Sequence, residues 1–492
     1  MPDLLLPTRA ICDRARIARD ARFDGSFFTA VRSTKIYCRP VCPARAPSAR
    51  NIVYYSTAAA ASAAGFRPCL RCRPELAPHA HLHGGDDATA RALALIADGA
   101  LEQESVAALA RRVGVSDRQL RRMLLARAGA TPIVVHATRR LLLAKQLLTE
   151  TSIPITQVAL AAGFQSVRRF NTAFLEGCGM APSKIRRQRG AAPRGIMTLR
   201  LAYRPPLDFA AMLTFLARRV ISGIERVGPD SYERVIGPAN ASTWIRVSAD
   251  ATRHELRLEI SDTDARVIPV IVRRVRRMFD LDADVRIVHE SLLAHPLLAQ
   301  AIAARPGVRV CGGWDGFEVA VRAVLGQQII VAGAATLARR LVHAYGIQRT
   351  TAFEGLDRAF PAPETLVDAP LETLGMPMSR ATTLRSLCRA VLKQRIDFRA
   401  GQRLDSFVER FVALPGIGPW TAHYVAMRAL SHPDAFPAGD LVLQQVLGGA
   451  QRLSARATEA VSQAWRPWRA YAVMQLWLMA NDRSKEKRDV VR

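Results

Sequence analysis

The sequence predicts a multidomain, α-rich α+β chain made of a small α/β domain, an all-α domain, a small α/β lobe and an all-α lobe. Three observations predict it. At 492 residues the chain is long enough for about three or four domains. Two close cysteine pairs lie near the start, and the helical patterns that follow repeat one glycine-turn arrangement. Two-residue alternation then marks strands between residues 197 and 260, before apolar periodicity returns to the helical spacing. The expected boundaries are 1–83, 88–189, 196–305 and 306–492.

Composition narrows the partners. The chain carries 70 Lys and Arg against 42 Asp and Glu, a net charge of +28, and such an excess favours a polyanion, with DNA first among them. An Ala- and Arg-rich composition raises charge in the same way, so charge alone is weak support. No apolar run is long enough to span a membrane, and the opening MPDLLLPTRAICDRARIARD lacks a signal-peptide cleavage pattern. A soluble, cytoplasmic protein without a membrane partner is expected.

In residues 1–83, Cys38-Arg39-Pro40-Val41-Cys42 is followed, after 26 residues, by Cys69-Leu70-Arg71-Cys72. In a cytosolic chain this spacing suggests metal rather than disulfides. The four thiolates of Cys38, Cys42, Cys69 and Cys72 could close a tetrahedron around one Zn²⁺. The plainest role for such a site is structural, stabilising a domain too small to fold alone. The next segment, His79 to Asp87, has alternate histidines but reads better as a polar, glycine-containing linker.

Residues 88–189 read as helix. Ser105 to Val113 is a short amphipathic helix running into Gly114, and Ser116 with Gln119 forms a capping box at the start of a helix from Asp117 to Arg127. The grammar recurs at Ile155 to Ala162, Gly163-Phe164-Gln165 and Ser166 to Leu175, joined by an apolar-periodic stretch from Ile133 to Leu148. This is helix-turn-helix grammar. A plain bundle with arginines on its wet face is the alternative, and the duplicated glycine turn argues against it.

An Ala-Pro-Gly linker from Gly190 to Gly195 comes next. Alternation predicts strands at Met197–Tyr203, Ser231–Ile236, Thr243–Val247 and His254–Ile260, with helices at Phe209–Val220 and Ala265–Phe279.

The last region contains Leu414-Pro415-Gly416-Ile417-Gly418-Pro419-Trp420-Thr421-Ala422. Gly416 and Gly418 allow a tight turn and a close backbone approach, and a helix starts at Thr421. A glycine turn feeding a helix N-terminus offers unpaired N–H groups to a phosphate oxygen. The pattern is a helix-hairpin-helix, which grips nucleic-acid backbone without reading bases. Asp440 follows the bend Pro437-Ala438-Gly439, which places it at a cleft mouth rather than on a solvated helix face. The bland readings are that such an Asp is a turn residue or N-cap and that a buried Trp is core.

Several of these stretches carry a family resemblance. FFTAVRSTKIYCRPVCPAR and AAGFRPCLRC resemble the zinc domain of the Ada family, which repairs methylated DNA phosphotriesters. The resemblance implies that Cys38 is a methyl acceptor as well as a ligand, and that Thr34, Arg45, Arg67 and Arg71 meet the DNA backbone. Two helix-turn-helix units with a connecting helix resemble the DNA-binding domain of AraC-type regulators, which Ada also carries. Recognition residues would lie among Arg118, Gln119, Arg121 and Arg122, and among Gln165, Ser166, Arg168, Arg169 and Asn171. An activator of this kind implies RNA polymerase as a further partner.

LPGIGPWTA followed by FPAGD resembles the helix-hairpin-helix DNA glycosylases, and among them the AlkA-type 3-methyladenine glycosylases, from about Thr198 to about Asn481. Members that also cut the strand have a lysine where Trp420 stands here, and Trp420 has no amine for a Schiff base. The resemblance therefore implies a monofunctional enzyme with Asp440 as its carboxylate and Trp420, Tyr424 and Trp477 as the base pocket. Alkylated purines are cations, and an aromatic face prefers them over neutral bases by about 1–2 kcal/mol. DNA contacts are implied at Gly416, Gly418, Gln327 and Gln328, the glutamines ending or following the family's RAxLGQ segment at Arg322–Gln327. The position of Gln328 is apolar in AlkA and wedges the duplex there, so this duty is in doubt or passes to a neighbour such as Ile329. No metal is implied at this site.

Ada's second alkyltransferase motif, Pro-Cys-His-Arg, does not occur, and Cys178, Cys311 and Cys388 lie in unrelated contexts. The expected protein is a monomeric fusion of an Ada-like half with an AlkA-like glycosylase, bound to double-stranded DNA. The alternative is a transcription factor whose last lobe binds DNA without turnover, for which Gln328 is the hint.

Overall fold

The computed structural model describes residues 6–79, 88–187, 196–236, 243–261 and 264–490. The expected linkers at 80–87 and 190–195 lie outside the described residues. The chain divides into two compact units: Met1–Pro205 with Ile245–Arg276 and Leu281–Ala283, and Pro206–Trp244 with Arg277–Asp280 and Asp284–Arg492. No described helix is long and apolar enough to cross a membrane.

The first unit opens with a four-stranded sheet in the order Ile52–Tyr55, Phe28–Val31, Ile36–Cys38, Arg67–Pro68. Alternation gives it two apolar faces. Phe28, Ala30 and Tyr37 pack on Ala61 and Phe66, while Phe27, Ile52 and Tyr54 pack on Cys12 and Ala15 of the helix Arg9–Ala18. The last strand pair is parallel, Tyr37 against Pro68, and Cys69 N donates to Tyr37 O at 3.0 Å. This register puts Cys38, at the end of one strand, beside Cys69, just after its neighbour.

Residues 88–187 are helical, as their periodicity predicts. Val106–Arg112 and Asp117–Ala128 form one helix pair, Ile155–Ala161 and Val167–Cys178 the second, and Pro132–Glu150 connects them. Gly114 and Gly163 adopt φ +79° and +77° at matching points of the two turns. Half of the expected capping box is present, with Ser116 Oγ accepting from Gln119 N at 3.2 Å. Ser166 caps Val167–Cys178 in the same way. Leu95, Leu109, Leu120 and Leu124 form the core of the first pair.

The first unit also holds Met197–Ala202 paired antiparallel with Glu255–Ile260, which pairs in turn with the Ile245–Asp250 part of the strand Thr243–Asp250. The helix expected over Ala265–Phe279 is instead a 3₁₀ turn, Ala265–Val267, followed by an α-helix Ile268–Met278. Pro269 in the first turn explains the break, since its ring blocks continuation from the preceding residues. Among elements the alternation missed is Glu225–Val227, in the second unit, which makes a hairpin with Ser231–Ile236. Gly228-Pro229-Asp230 was its signal.

In the second unit Pro419–Ala429 packs against Gly316–Leu325 and Leu404–Val412, and the helix Arg469–Val490 packs against Pro296–Ala304 and Leu441–Gly448. These two clusters bring Trp420 and Trp477 within hydrogen-bonding distance of Asp440.

Candidate active site and metal centre

The hairpin joins Leu404–Val412 to Pro419–Ala429. Gly416 has φ +79°, and a Cβ there would stand 2.0 Å from Thr383 Oγ1, so conformation and packing both require glycine. At Gly418, the N-cap, a Cβ would meet only open space. The second helix starts at Pro419, two residues before the expected Thr421, because proline is well suited to the first helical position. No described side chain caps it, so its leading N–H groups have no capping acceptor from the described side chains. Gln327 braces the turn, its Nε2 donating to Gly416 O at 2.9 Å and to Thr421 Oγ1 at 3.0 Å.

Asp440 is the N-cap of Leu441–Gly448, with Oδ1 accepting from Val442 N and Leu443 N at 3.1 Å. Its carboxylate also accepts from two indoles: Trp477 Nε1 donates to Oδ1 and Trp420 Nε1 to Oδ2, each at 3.1 Å. Four N–H donors from three helices thus fix its plane. Trp420 and Tyr424, one turn apart, stack at 5.2 Å, and Trp477 lies 6.2 Å from Tyr424 and stacks on Phe215 at 6.3 Å.

Tyr424 is backed by cations. Arg428 Nη1 donates to its phenol oxygen at 2.8 Å, and Arg219 lies 3.7 Å from the Phe215 ring centre. Burial pushes the phenol pKa up, and the guanidiniums of Arg428 and Arg219 outweigh it, leaving it below the ordinary value. Two neutral histidines shape the loop that delivers Asp440. His423 Nδ1 accepts from Phe436 N and His432 Nδ1 from Asp434 N, both at 3.3 Å. Burial, then His423 and Arg469, bring His432 down to about 4, and burial with Arg469 lowers His423.

In the first unit the sulfurs of Cys38, Cys42, Cys69 and Cys72 lie within 4.8 Å of one another. Thiolates bound to one Zn²⁺ stand about 4 Å apart, so the cluster fits the ion with small adjustment. Arg39 N donates to Cys72 Sγ at 3.3 Å and Arg71 N to Cys69 Sγ at 3.4 Å, bonds that orient these two sulfurs. Four soft donors select zinc over harder cations. Cys69 and Cys72 are buried, whereas Cys38 and Cys42 are partly exposed. Around them Thr34, Arg45 and Arg71 are exposed and Arg67 is half-buried. On the helices Asp117–Ala128 and Val167–Cys178, Arg118, Gln119, Arg121, Arg122, Arg168, Arg169 and Asn171 are all exposed.

Family models match four successive segments: the metal binding domain of Ada over residues 11–75, a helix-turn-helix domain over 109–188, the AlkA N-terminal domain over 198–315, and the HhH-GPD superfamily base excision DNA repair protein over 321–470. A probable bifunctional transcriptional activator/DNA repair enzyme AlkA of Mycobacterium tuberculosis is 39% identical over 479 residues, 95% of each chain. The chain belongs to this family. Its second half is 33% identical over 280 residues to DNA-3-methyladenine glycosylase 2 of Escherichia coli, covering 56% of this chain and 95% of that one. A 3-methyladenine DNA-glycosylase from Archaeoglobus fulgidus shares a fold with 57% of this chain, over 98% of its own length, with a TM-score of 0.51 at 17% identity. The Ada-AlkA fusion and the multidomain α+β class expected from the motifs both hold, as does one zinc in the four-cysteine cluster.

Asp440, Trp420, Tyr424, Trp477 and the hairpin glycines meet in one place. Gln327 turns inward to the hairpin, while Gln328, with φ +58°, is exposed beside Ile329 and Ile330. Arg322 of the same segment is a structural residue, donating to Glu225 at 2.7 Å and Glu318 at 2.6 Å. Sequence reasoning missed Phe215, Arg219 and Arg428. Arg428 stands four residues after Tyr424, a helical spacing that could have found it; Phe215, on the distant helix Phe209–Ala217, and Arg219, just after its end, left no such signal.

Proposed function

We propose that the chain is a monofunctional DNA glycosylase releasing alkylated bases of the 3-methyladenine type from double-stranded DNA, joined to a methylphosphotriester sensor and transcriptional activator. The observation that carries the reading is the Asp440 carboxylate, held between two indole N–H groups beside an uncapped hairpin helix. The hairpin would hold the strand while the damaged nucleotide swings out of the stack, at a cost of a few kcal/mol. Trp420, Tyr424 and Trp477 supply the π surface for the base. N-alkylation makes the base a good leaving group, so as the C1′–N bond breaks Asp440 stabilises the oxocarbenium-like sugar. Water then adds at C1′ and gives up a proton. Trp420 offers no amine, which supports hydrolysis without strand cleavage.

In the N-terminal half, Cys38, Cys42, Cys69 and Cys72 would hold the zinc. The ion keeps a thiolate deprotonated and nucleophilic. Partial exposure leaves Cys38 and Cys42 as candidate acceptors, and the Ada resemblance favours Cys38. Its sulfur would take the methyl group from the triester, leaving a phosphodiester anion. Thr34, Arg45, Arg67 and Arg71 would meet the backbone there, and the two recognition helices would read a promoter for RNA polymerase. The domain boundaries at 1–83, 88–189, 196–305 and 306–492 belong to this proposal.

Base release from methylated duplex DNA tests it. Asp440→Asn keeps an N-capping side chain and is expected to slow release by about 10²–10³-fold. Wild-type protein that binds the DNA and releases nothing would favour the pure transcription factor instead. For the sensor, Cys38→Ala is expected to abolish methyl transfer from phosphotriesters, and transfer at the wild-type level would reassign the acceptor.

A further inference from the structure

The residue after the zinc-cluster cysteine Cys72 is Arg73, held at φ +57°. Its guanidinium is largely withdrawn from solvent. It pairs at 2.9 Å with Glu75 and at 2.9 Å with Glu150, the last residue of the connecting helix Pro132–Glu150. Glu75 also takes Lys145 of that helix at 2.5 Å, and both side chains are fully buried. Glu150 continues the chain of charges: its carboxylate accepts from Arg200 Nε at 2.9 Å and from Arg200 N at 3.1 Å. Arg200 lies in the strand Met197–Ala202, within the segment matched by the AlkA N-terminal domain.

Three cations and two carboxylates therefore join the cysteine cluster, the connecting helix and that strand, and Glu255 on the neighbouring strand, 3.8 Å from Arg200, balances the third cation. Gln146 makes the join directional, its Nε2 donating to Glu150 Oε2 and to Arg200 O, both at 2.9 Å. Surface ion pairs contribute little, but removing one member of a buried set leaves an uncompensated charge. A second junction stands apart from the first. Arg204, 2% exposed, donates to Asp282 O at 2.6 Å and to His79 O at 3.1 Å. Gly25 allows the approach, since a Cβ there would fall 2.0 Å from Pro78 O.

We infer that the Ada-like half and the strands Met197–Ala202 and Glu255–Ile260 of the AlkA-like half form one cooperative body clamped by Arg73, so that the state of the cysteine cluster is transmitted to those strands as well as to the helix-turn-helix domain. A bound zinc or a methylated sulfur alters the loop that ends in Cys72. Arg73 carries that change into two carboxylates that other elements depend on. This goes beyond the proposed function and does not rest on base release.

Hydrogen exchange of the full chain, with zinc bound and after chelation, tests it. In wild type, chelation is expected to speed exchange in Pro132–Glu150 and in Met197–Ala202 together, by about tenfold or more. In Arg73→Gln the change should stay within the segment carrying the cysteines. Should that variant fail to fold, Arg200→Gln, at a half-exposed position, removes the side-chain ion pair with Glu150 and keeps the backbone bonds of Arg200. It should leave the helix as responsive as in wild type and make the strand's response smaller. Unchanged exchange in the wild-type strand on chelation, or an Arg200→Gln strand that responds as strongly as the wild-type strand, overturns the inference. Either result is independent of whether the protein releases bases.

Discussion

Asp440 answers to two descriptions that the sequence sets against each other. It is an N-cap, as an aspartate before a helix usually is, and it is also the acceptor for Trp420 and Trp477. The cap serves the site: two backbone N–H groups hold one oxygen and so orient the other. His432 carries a second residue-scale consequence. As a neutral acceptor its pKa falls from 6.5 to about 4, so the unfolded chain takes up the proton first. Its contribution is full above pH 6.5 and is lost as pH falls toward 4. The melting temperature should therefore drop between pH 7 and pH 5, and His432→Asn, which keeps an acceptor but cannot titrate, should shrink that drop. An equal drop in both proteins would show that His432 plays no part.

At the scale of elements the hairpin is the clearest case. The positive φ of Gly416 and its approach to Thr383 mean that any side chain both strains the turn and displaces a neighbouring helix. Gly416→Ala is expected to cost about 1–3 kcal/mol of stability and to weaken DNA binding. Gly418→Ala meets nothing within the protein, so its stability cost should be the smaller, limited to the poorer N-cap, and its main effect should appear in DNA affinity. Equal melting temperatures for the two variants would contradict this account. The helix-turn-helix pairs were legible for a related reason: glycine at a left-handed position and serine at a cap are local requirements, printed in the sequence wherever they occur. The strand Glu225–Val227 was not legible from alternation, because three residues carry too little periodicity and its partner decides its pairing.

At the scale of the whole molecule, the net charge of +28 sets how the chain meets DNA. Affinity for a duplex should fall by about tenfold or more between roughly 50 and 200 mM salt, as phosphate contacts release counterions. A titration that is flat in salt would remove the polyanion argument. Charge also does work inside the fold, where Arg73, Lys145, Arg200, Arg234 and Arg322 sit in ion pairs rather than on a DNA-binding surface. Composition cannot separate these two uses, since burial is a property of packing.

By itself the sequence determined the ligand set, the duplicated helix-turn-helix, the hairpin and the carboxylate after it, because each depends on residue types at short, fixed spacings. Only the tertiary structure decided that Asp440 is gripped by indoles 20 and 37 residues away, that Phe215 joins the aromatic cluster, and that the zinc loop, the connecting helix and the strand Met197–Ala202 share one set of paired charges. Contacts of that kind come from elements remote in the chain, whose meeting is set by how whole faces pack and leaves no local pattern to read.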